Sequence, residues 1–259
     1  MPIRGAGIGV GVGVRSTAVG ATGVNALTRS IIVNGQSVDA TYYYDARNWN
    51  GLAFLFASAG EYLAKVENGA DLTKVDEGLS SGVGLEYAGG DYLEASTTGF
   101  ANLDTDDAVF ETVFTCDATT DYLVGKRTTG AGYDQWITSS RQVRSVISDG
   151  TTTVFTTSSA LSAGTLYHVL TFVDRSEASV NGMRQYINGS INGTVDPSAV
   201  TGNVSYAGKL KLGANMDGSI VLNGSIVQAA MWQGAGWLDN SSTTEIDAIA
   251  AARYASLIA

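Results

Sequence analysis

The chain has 259 residues, of which 44% are hydrophobic and only 15% are charged, and its formal net charge is −10. A charged fraction below the ~25% of ordinary soluble domains is typical of β proteins whose polar surface consists of Ser, Thr, Asn and Gly. The acidic balance and the lack of a Lys/Arg stripe argue against nucleic-acid binding. No apolar run reaches the ~18 residues of a membrane-spanning helix, so we expect no membrane span.

The chain contains one cysteine, Cys116, which therefore has no partner for an internal disulfide bond. A lone thiol in an apolar run such as Ala108–Cys116 is more often a small buried hydrophobic group than a nucleophile. The N-terminus lacks the compact apolar region of a secretory signal peptide. We therefore expect the protein to be made in a cytoplasm and kept there until assembly or lysis.

Near the N-terminus, glycine alternates with apolar residues. The alternating glycines are Gly5, Gly7, Gly9, Gly11 and Gly13. This period of two predicts an extended strand with one face bare of side chains. Two interpretations stay open, an arm that docks on a neighbouring subunit and a strand that packs against its own domain. We assign residues 1–26 to this extended assembly arm.

The next segment is predicted to contain a β-hairpin. Leu27–Val33 and Ser37–Tyr44 flank Asn34-Gly35, the dipeptide that a type I′ turn prefers. Residues 52–66 fit either a short helix or a buried strand followed by a turn, and hydrophobic periodicity does not decide between them. We assign residues 27–82 to a hairpin and a connecting segment.

From Val83 onward, short apolar runs recur at the ~8–12-residue spacing that is typical of a sandwich or barrel. The runs are Gly84–Tyr87, Tyr92–Ala95, Ala108–Thr115, Tyr122–Lys126, Tyr133–Thr138, Val143–Ser148, Thr152–Thr156, Leu166–Asp174, Arg184–Ile187, Lys209–Gly213 and Ser225–Trp232. They predict a many-stranded antiparallel β structure. After them, the N-capping hydroxyls of Ser241–Thr244 and the apolar spacing that follows predict one amphipathic helix over about 243–257.

Several of these elements resemble those of laminin-G-like, or concanavalin A-like, jelly-roll domains. The similar segments are Leu85–Leu93, Tyr167–Asp174, Gln185–Thr194, Leu210–Gly213, Leu222–Ile226 and Thr244–Ile246. The resemblance covers about residues 83–259. It implies an all-β antiparallel β-sandwich of the jelly-roll type with one C-terminal helix.

A shorter resemblance points to phage particles. Phe54–Ala59 followed by Val66–Gly69 is similar to a segment that precedes such domains in phage structural proteins, although Ala57 stands where an arginine is expected. This resemblance implies a virion protein, either a capsid decoration or a tail or fibre subunit, with the virion as its final location. Its partners would then be other virion proteins and copies of itself.

The sequence offers little catalytic chemistry. The single histidine, His168, has no Gly-x-Ser-x-Gly motif to serve, and one His with one Cys cannot form the usual zinc site. Glu111 lacks the acidic partners of the Glu-x-Asp-x-x-Glu strand by which sandwich glycosidases resemble one another. On its strand His168 shares a face with Leu170 and Phe172, which indicates a core or rim residue. We therefore expect no enzyme activity and no cofactor, apart from the calcium considered next.

Asp104, Asp106 and Asp107 form the densest acidic cluster of the chain. Calcium prefers several oxygen ligands, so these carboxylates are weak candidates for a calcium site at the rim of the sandwich. The alternative is a solvated turn in which Asp106 or Asp107 accepts hydrogen bonds from nearby backbone amides.

Binding of a glycan requires exposed aromatic side chains beside polar groups. The candidates are Tyr133, Trp136, Trp232 and Trp237. Tyr133 and Trp136 have opposite parity on one predicted strand, so they cannot both face one groove if that strand is regular. Large aromatic residues are also more often part of a core than of a binding surface.

Three functional hypotheses follow. The first is a non-enzymatic virion structural protein that contributes to assembly or surface attachment. The alternative is a carbohydrate-binding, lectin-like module that recognises glycans on a host surface. The third, a polysaccharide hydrolase, has the least support because the paired carboxylates of such enzymes are missing.

The virion hypothesis makes a prediction about the N-terminal arm. Deletion of Met1–Gly23 should abolish incorporation of the chain into particles while the sandwich still folds. Particles assembled with and without the deletion, compared by gel after purification, provide the measurement. Incorporation of the truncated chain at the normal level would contradict the assigned role of the arm.

Overall fold

The computed structural model describes residues 30–46, 53–55, 62–66, 73–76, 83–88, 90–117 and 119–258. The predicted arm at residues 1–26, with its alternating glycines, lies outside these residues. Among the helices that the structure describes, none is long and apolar enough to cross a membrane.

The described part of the chain forms eighteen β-strands and one α-helix. The strands up to residue 114 are β1 (Ser30–Val33), β2 (Gln36–Asp39), β3 (Tyr42–Asp45), β4 (Ala53–Leu55), β5 (Tyr62–Val66), β6 (Thr73–Asp76), β7 (Val83–Ala88), β8 (Tyr92–Ala95) and β9 (Asp107–Phe114). The later elements are β10 (Tyr122–Arg127), β11 (Ala131–Ile137), β12 (Gln142–Asp149), β13 (Thr153–Ala160), β14 (Tyr167–Val173), β15 (Met183–Ile187), β16 (Ser190–Val195), β17 (Lys211–Leu212), β18 (Asn223–Gly234) and α1 (Thr243–Ile258).

Two eight-stranded sheets pack against each other. The front sheet has the order β13-β12-β11-β10-β17-β8-β5-β4, and the back sheet has the order β16-β15-β14-β9-β18-β7-β6 with β3 also paired to β18. All strand pairs that the structure describes are antiparallel. The chain is therefore an antiparallel β-sandwich with a C-terminal helix, which confirms the predicted fold class.

The main core lies between the two sheets, where alternate residues of each strand point inward. Phe110 of the back sheet and Tyr133 of the front sheet meet there with their ring centroids 4.8 Å apart. On β14, Val169 and Val173 belong to this core, whereas Leu170 belongs to a second cluster on the other side of the strand. The predicted parity of this strand is thus confirmed.

The second cluster covers the outer face of the back sheet. Leu170 and Trp232 of the sheet pack there against Ile246 and Ala250 of α1, and against Ile31 of the β1–β2 hairpin. The hairpin is tied to the start of the helix, because the Asn34 amide donates to Glu245 Oε1 at 2.7 Å. Helix and hairpin together close this face of the sandwich.

Two sequence predictions about local structure are confirmed. Asn34 and Gly35 have φ values of 51° and 73°, which a type I′ hairpin turn requires at both central positions. The predicted helix is present as α1, and the hydroxyl of Ser242 accepts a hydrogen bond from the Glu245 amide at its first turn.

The structure also answers the question that periodicity left open. Residues 53–55 and 62–66 are the paired strands β4 and β5 rather than a helix. Because β5 pairs with β8 and β3 pairs with β18, the sandwich includes strands that precede the boundary predicted at residue 83. These pairings join segments far apart in the sequence, so local patterns carry no signal for them.

A buried ionic cluster joins the helix to the back sheet. Glu111 of β9 is fully buried and accepts hydrogen bonds from Arg253 Nε at 2.7 Å and Arg253 Nη2 at 2.6 Å. His168 Nε2, at 2.8 Å, and Gln228 Nε2, at 2.9 Å, complete the donors around this carboxylate. The Arg253 guanidinium also lies 4.6 Å from the centre of the Trp232 ring. Four donors on one buried carboxylate anchor α1 to three strands of the back sheet, β9, β14 and β18.

The same contacts set the ionisation of Glu111. Burial alone raises its pKa, but the charge and hydrogen bonds of Arg253, with those of His168, hold the pKa at about 2 instead of the ordinary 4.5. A carboxyl group whose pKa is lowered on folding stabilises the folded state above its unfolded pKa. This contribution is therefore complete above about pH 4.5 and is lost as the pH falls toward 2.

We predict that Glu111→Gln lowers the free energy of unfolding at pH 7 by about 3 kcal/mol, because Arg253 then stays buried without its anionic partner. Urea unfolding followed by fluorescence measures this loss, which should shrink at acid pH where wild-type Glu111 is itself protonated. The matched control is Glu177→Gln at an exposed position, for which we expect a change within about 0.5 kcal/mol. Superimposable unfolding curves for Glu111→Gln and wild type would show that the cluster does not anchor the helix.

Candidate functional site

The outer face of the front sheet carries aromatic and charged side chains. On β11, Tyr133 and Gln135 point into the core, and Asp134 and Trp136 consequently lie on the opposite, outer side. Trp136 pairs across the sheet with Tyr122 of β10 and with Arg144 of β12. Cross-strand neighbours on one face are close enough for their side chains to interact.

Four of these side chains form a row across β10, β11, β12 and β13, which we call the aromatic ladder. The rings of Tyr122 and Trp136 are stacked, with centroids 5.9 Å apart and an interplanar angle of 15°. The Arg144 guanidinium lies 5.2 Å from the centre of the Trp136 ring and 4.3 Å from that of Phe155. Stacking and cation–π contacts hold these side chains in fixed positions on the sheet.

A cleft of about 300 Å³ opens at the Tyr122 end of the ladder, and we call it the front cleft. Its lining residues are Tyr122, Arg127, Thr128, Thr129, Asp134, Asn215, Met216 and Asp217. Tyr122 lines the cleft and Trp136 does not, so Trp136 supports the tyrosine ring from outside the cleft. The cleft thus has one rigid aromatic wall.

A tight turn between β17 and β18 forms another wall of the front cleft. Asp217 Oδ1 accepts hydrogen bonds from the Ser219 amide at 3.0 Å and the Ser219 hydroxyl at 2.6 Å. Gly218, with φ of 74°, adopts the left-handed conformation that this turn needs, and a Cβ there would lie 2.7 Å from the Tyr92 hydroxyl. The turn therefore holds Asn215 and Asp217 at the cleft.

Asp134 is the unusual residue of the front cleft. Its side chain is only 2% exposed, and its Oδ2 accepts a hydrogen bond from Arg127 Nε at 2.9 Å. Its Oδ1 is buried and has no hydrogen-bond partner among the residues that the structure describes. Burial raises the pKa of Asp134 to about 6, against the opposing effects of Arg127 and Arg144. The carboxylate is therefore an incompletely satisfied acceptor that titrates close to neutral pH.

Of the four aromatic residues predicted to bind a glycan, one is partly exposed and three are buried. Trp136 is partly exposed on the outer face, as a surface role requires. Tyr133, Trp232 and Trp237 are instead buried, with exposures of 1%, 0% and 4%. Tyr133 points into the main core, and the other two lie beneath α1. As exposed platforms these three predictions are wrong, because the helix covers the face that two of them occupy.

Sequence analysis missed the other lining residues of the front cleft. Tyr122, Asp134 and Asp217 lie on different strands or turns, and only the order β11-β10-β17 in the front sheet brings them together. The parity of Asp134 and Trp136 was the available signal, since two residues two positions apart on a strand share a face.

The predicted calcium candidates do not form one group. Asp104 accepts hydrogen bonds from Asn203 Nδ2 and the Ser205 hydroxyl, at 3.2 and 2.5 Å. Asp107 is buried and accepts hydrogen bonds from the backbone amides of Arg175 and Leu238, at 3.1 and 3.2 Å. Asp107 is thus not part of a solvated turn, because it begins strand β9, is buried and bonds backbone amides that are distant in the sequence.

Asp107 lies instead beside Asp174 and Asp239, with one carboxylate oxygen of each residue within 4.8 Å of the others. This is the one potential metal-binding group that the described part of the chain contains. Three carboxylates are fewer than the ~6–8 oxygen ligands that calcium takes. One oxygen each of Asp174 and Asp239 already has a hydrogen-bond partner, since the Ser176 hydroxyl contacts both Asp174 Oδ1 and Asp239 Oδ1. The set Asp104, Asp106 and Asp107 is thus not the cluster that the fold assembles.

A cavity of about 360 Å³ adjoins this acidic group. Arg175 lines it and donates to the carbonyl oxygens of Val200 and Gly202 at 2.5 Å each, and to that of Asp104 at 2.8 Å. These bonds fix the loop between β16 and β17 to the rim of the sandwich. The polar groups of this cavity are therefore used for structure.

Solved structures of similar fold are known, whereas comparisons of sequence find no relative. No protein-family model matches the sequence, and the search of curated proteins finds no match. Among solved structures, domain 4 of AbnA, a GH43 extracellular arabinanase from Geobacillus stearothermophilus in complex with arabinotriose, is similar with a TM-score of 0.55. The identity is 14%, over 83% of this chain and 100% of that chain.

Two toxin domains are similar to the same degree. The botulinum neurotoxin serotype G binding domain matches with a TM-score of 0.56 and 12% identity, over 83% of this chain and 50% of that chain. The binding domain of Paraclostridial mosquitocidal protein 1 matches with a TM-score of 0.55 and 11% identity, over 86% and 51%. The chain thus spans about half the length of these toxin domains. At these low sequence identities, the structural similarity is evidence for the β-sandwich fold alone.

The ionisation of Asp134 generates a prediction about stability. A carboxyl group whose pKa rises on folding stabilises the folded state below its unfolded pKa, and this contribution is lost as the pH rises through the folded pKa. For Asp134 the window runs from about pH 3.8 to about pH 6. The stability of Asp134→Asn relative to wild type should therefore increase across this window, by about 2–3 kcal/mol at most.

Urea unfolding at pH 4 and pH 7 measures this change. The contrasting variant is Asp217→Asn, because the Ser219 donors lower the pKa of Asp217. Its stability relative to wild type should stay nearly constant between pH 4 and pH 7, because a lowered pKa places this titration below about pH 3.8. Parallel pH profiles for the two variants would contradict the assigned environment of Asp134.

Proposed function

We propose that the chain is a non-catalytic carbohydrate-binding domain whose binding site is the front cleft. The observation that carries this proposal is the combination of a rigid tyrosine wall with an incompletely satisfied carboxylate in the same cleft. Of the functions considered from the sequence, the lectin-like alternative agrees best with this site.

The chemistry of a sugar matches these groups. A pyranose or furanose ring has apolar C–H faces, which pack against an aromatic ring such as Tyr122, and hydroxyl groups that need hydrogen-bond partners. Asn215 and the hydroxyls of Thr128 and Thr129 can both donate and accept, and Asp134 and Asp217 accept. Hydrogen bonds to a carboxylate are shorter and stronger than those between neutral groups.

The size of the front cleft also suits a small part of a glycan. Its volume of about 300 Å³ is at the lower end of the ~300–1,000 Å³ that ligand pockets occupy. We infer that it holds one or two sugar units, with the rest of the chain extending over the outer face.

The similar structures support this proposal at the level of the fold. Domain 4 of AbnA was solved with arabinotriose, and the two toxin domains are described as binding domains. Glu111, the carboxylate considered for hydrolysis, is fully buried and held by Arg253. We therefore expect binding without cleavage of the sugar.

The proposed place of the protein in a virion stays a prediction. None of the comparisons addresses it, and the alternating glycines of the predicted arm lie outside the described residues. A glycan-binding domain on a phage particle would combine both hypotheses, since repeated copies of a weak binding site gain avidity.

We predict that Tyr122→Ala weakens saccharide binding at least tenfold, because the ligand loses its aromatic wall. Binding is first detected on an array of neutral and acidic oligosaccharides, arabinotriose included, and is then measured by calorimetry. Trp136→Ala should weaken binding less, since this side chain acts by supporting Tyr122.

The matched control is Phe155→Ala. This side chain is 45% exposed and belongs to the ladder, but it does not line the cleft, so the affinity should stay within about twofold. An array without any signal, or equal losses for Tyr122→Ala and Phe155→Ala, would refute the proposed site.

A further inference from the structure

We infer that Asp134 is the residue that selects the ligand class, so that the front cleft binds neutral, hydroxyl-rich saccharides and discriminates against those that carry carboxylate groups. This inference rests on the proposed carbohydrate-binding function and specifies the chemistry of its ligand.

Within the described part of the chain, one carboxylate oxygen of Asp134 lacks a hydrogen-bond donor. Arg127 Nε satisfies Oδ2 at 2.9 Å, while Oδ1 has no donor although the side chain is almost entirely buried. Buried polar groups in folded proteins are nearly always paired, and an exception calls for a partner from outside the chain. A ligand hydroxyl can donate to Oδ1, whereas a ligand carboxylate has no proton to offer at neutral pH.

The charges around the front cleft also disfavour an anionic ligand. The carboxylates of Asp134 and Asp217 line the cleft. The Arg127 guanidinium lines it too, but it is already paired with Asp134. The nearby Arg144 lies against Trp136 and Phe155, and its Nε donates to Thr157 Oγ1 at 3.3 Å. An anionic sugar would therefore meet two like charges, and the cations next to it already have partners.

Asp134 lines the front cleft but its Oδ1 is buried, so a ligand donor reaches this atom only when part of the cleft wall moves outward. Arg127 is the wall residue attached to Asp134, and its side chain is 19% exposed. The adjoining residues Thr128 and Thr129 are exposed as well, so movement here disturbs little packing.

The affinity of the front cleft for its ligand should depend on pH through the ionisation of Asp134. The groups that face Asp134 are Tyr122 and Arg127 of β10, Arg144 of β12 and Asp217 of the β17–β18 turn. With a pKa of about 6, Asp134 is mostly protonated at pH 5 and loses its strength as an acceptor. If the ionised form alone binds, the apparent affinity falls about tenfold between pH 7.5 and pH 5.

The experiment uses the full chain and matched pairs of trisaccharides. Galacto-, gluco- and manno-trisaccharides are compared with the corresponding uronic acid trisaccharides, which share their ring stereochemistry and carry a carboxylate in place of each C6 hydroxymethyl group. Calorimetry at pH 7.5 should show binding of at least one neutral member, at least tenfold tighter than its uronate counterpart. The neutral ligand should bind about tenfold more weakly at pH 5.

Asp134→Asn should bind the neutral ligand at least tenfold more weakly than wild type at pH 7.5, with no dependence on pH. Glu177→Gln, an exposed position away from the front cleft, should match wild type at both pH values. The uronate comparison and the wild-type pH profile need no variant, so they test the inference even if Asp134→Asn does not fold.

Tighter or equal binding of the uronates would overturn the inference and leave the proposed function standing. So would wild-type affinity and wild-type pH dependence in Asp134→Asn. Failure of every saccharide, neutral and anionic, to bind would instead overturn the proposed function and this inference together.

Discussion

The ion pair between Glu111 and Arg253 is the interaction on which the asymmetry of this sandwich depends. Glu111 lies on β9, a central strand of the back sheet, and its carboxylate accepts four hydrogen bonds, two of them from α1. A buried carboxylate with this many donors tolerates little displacement of the helix, because an unpaired charge in the interior is very unfavourable. The helix is therefore fixed on the back sheet. Its apolar side and the β1–β2 hairpin make that face part of the interior.

This asymmetry leaves the front sheet as the face on which a ligand can act. There the alternation of β11 places Asp134 and Trp136 outward, and the neighbouring strands add Tyr122 and Arg144 at fixed cross-strand positions. A site built on paired strands is held more rigidly than one built on loops. Arg127 and the exposed residues Thr128 and Thr129 form the part of the cleft wall that is packed least tightly.

Whether a feature of the fold or of the front cleft could be predicted from the sequence depends on how far apart the interacting residues lie in the chain. The Asn34-Gly35 turn and the terminal helix are local, and the parity of His168 and of Trp136 follows from a period of two, so these were predicted correctly. The entry of β5 into the front sheet, and of β4 with it, was not, because β5 pairs with β8 across a long intervening segment. The burial of Trp232 was missed for another reason, since it depends on how α1 packs over the back sheet, which the predicted presence of the helix does not specify.

Burial alone does not distinguish Asp134 from the other buried carboxylates of the chain. Burial raises the pKa of Asp107, Asp121 and Asp134 alike to about 6. Asp107 accepts hydrogen bonds from two backbone amides, and Asp121 accepts one from the Asn223 amide, so both are used to fix strand ends and loops. Asp134 combines the same perturbed ionisation with an oxygen that has no donor and with a position at a cleft. The missing partner, rather than the shifted pKa, is what points to a ligand.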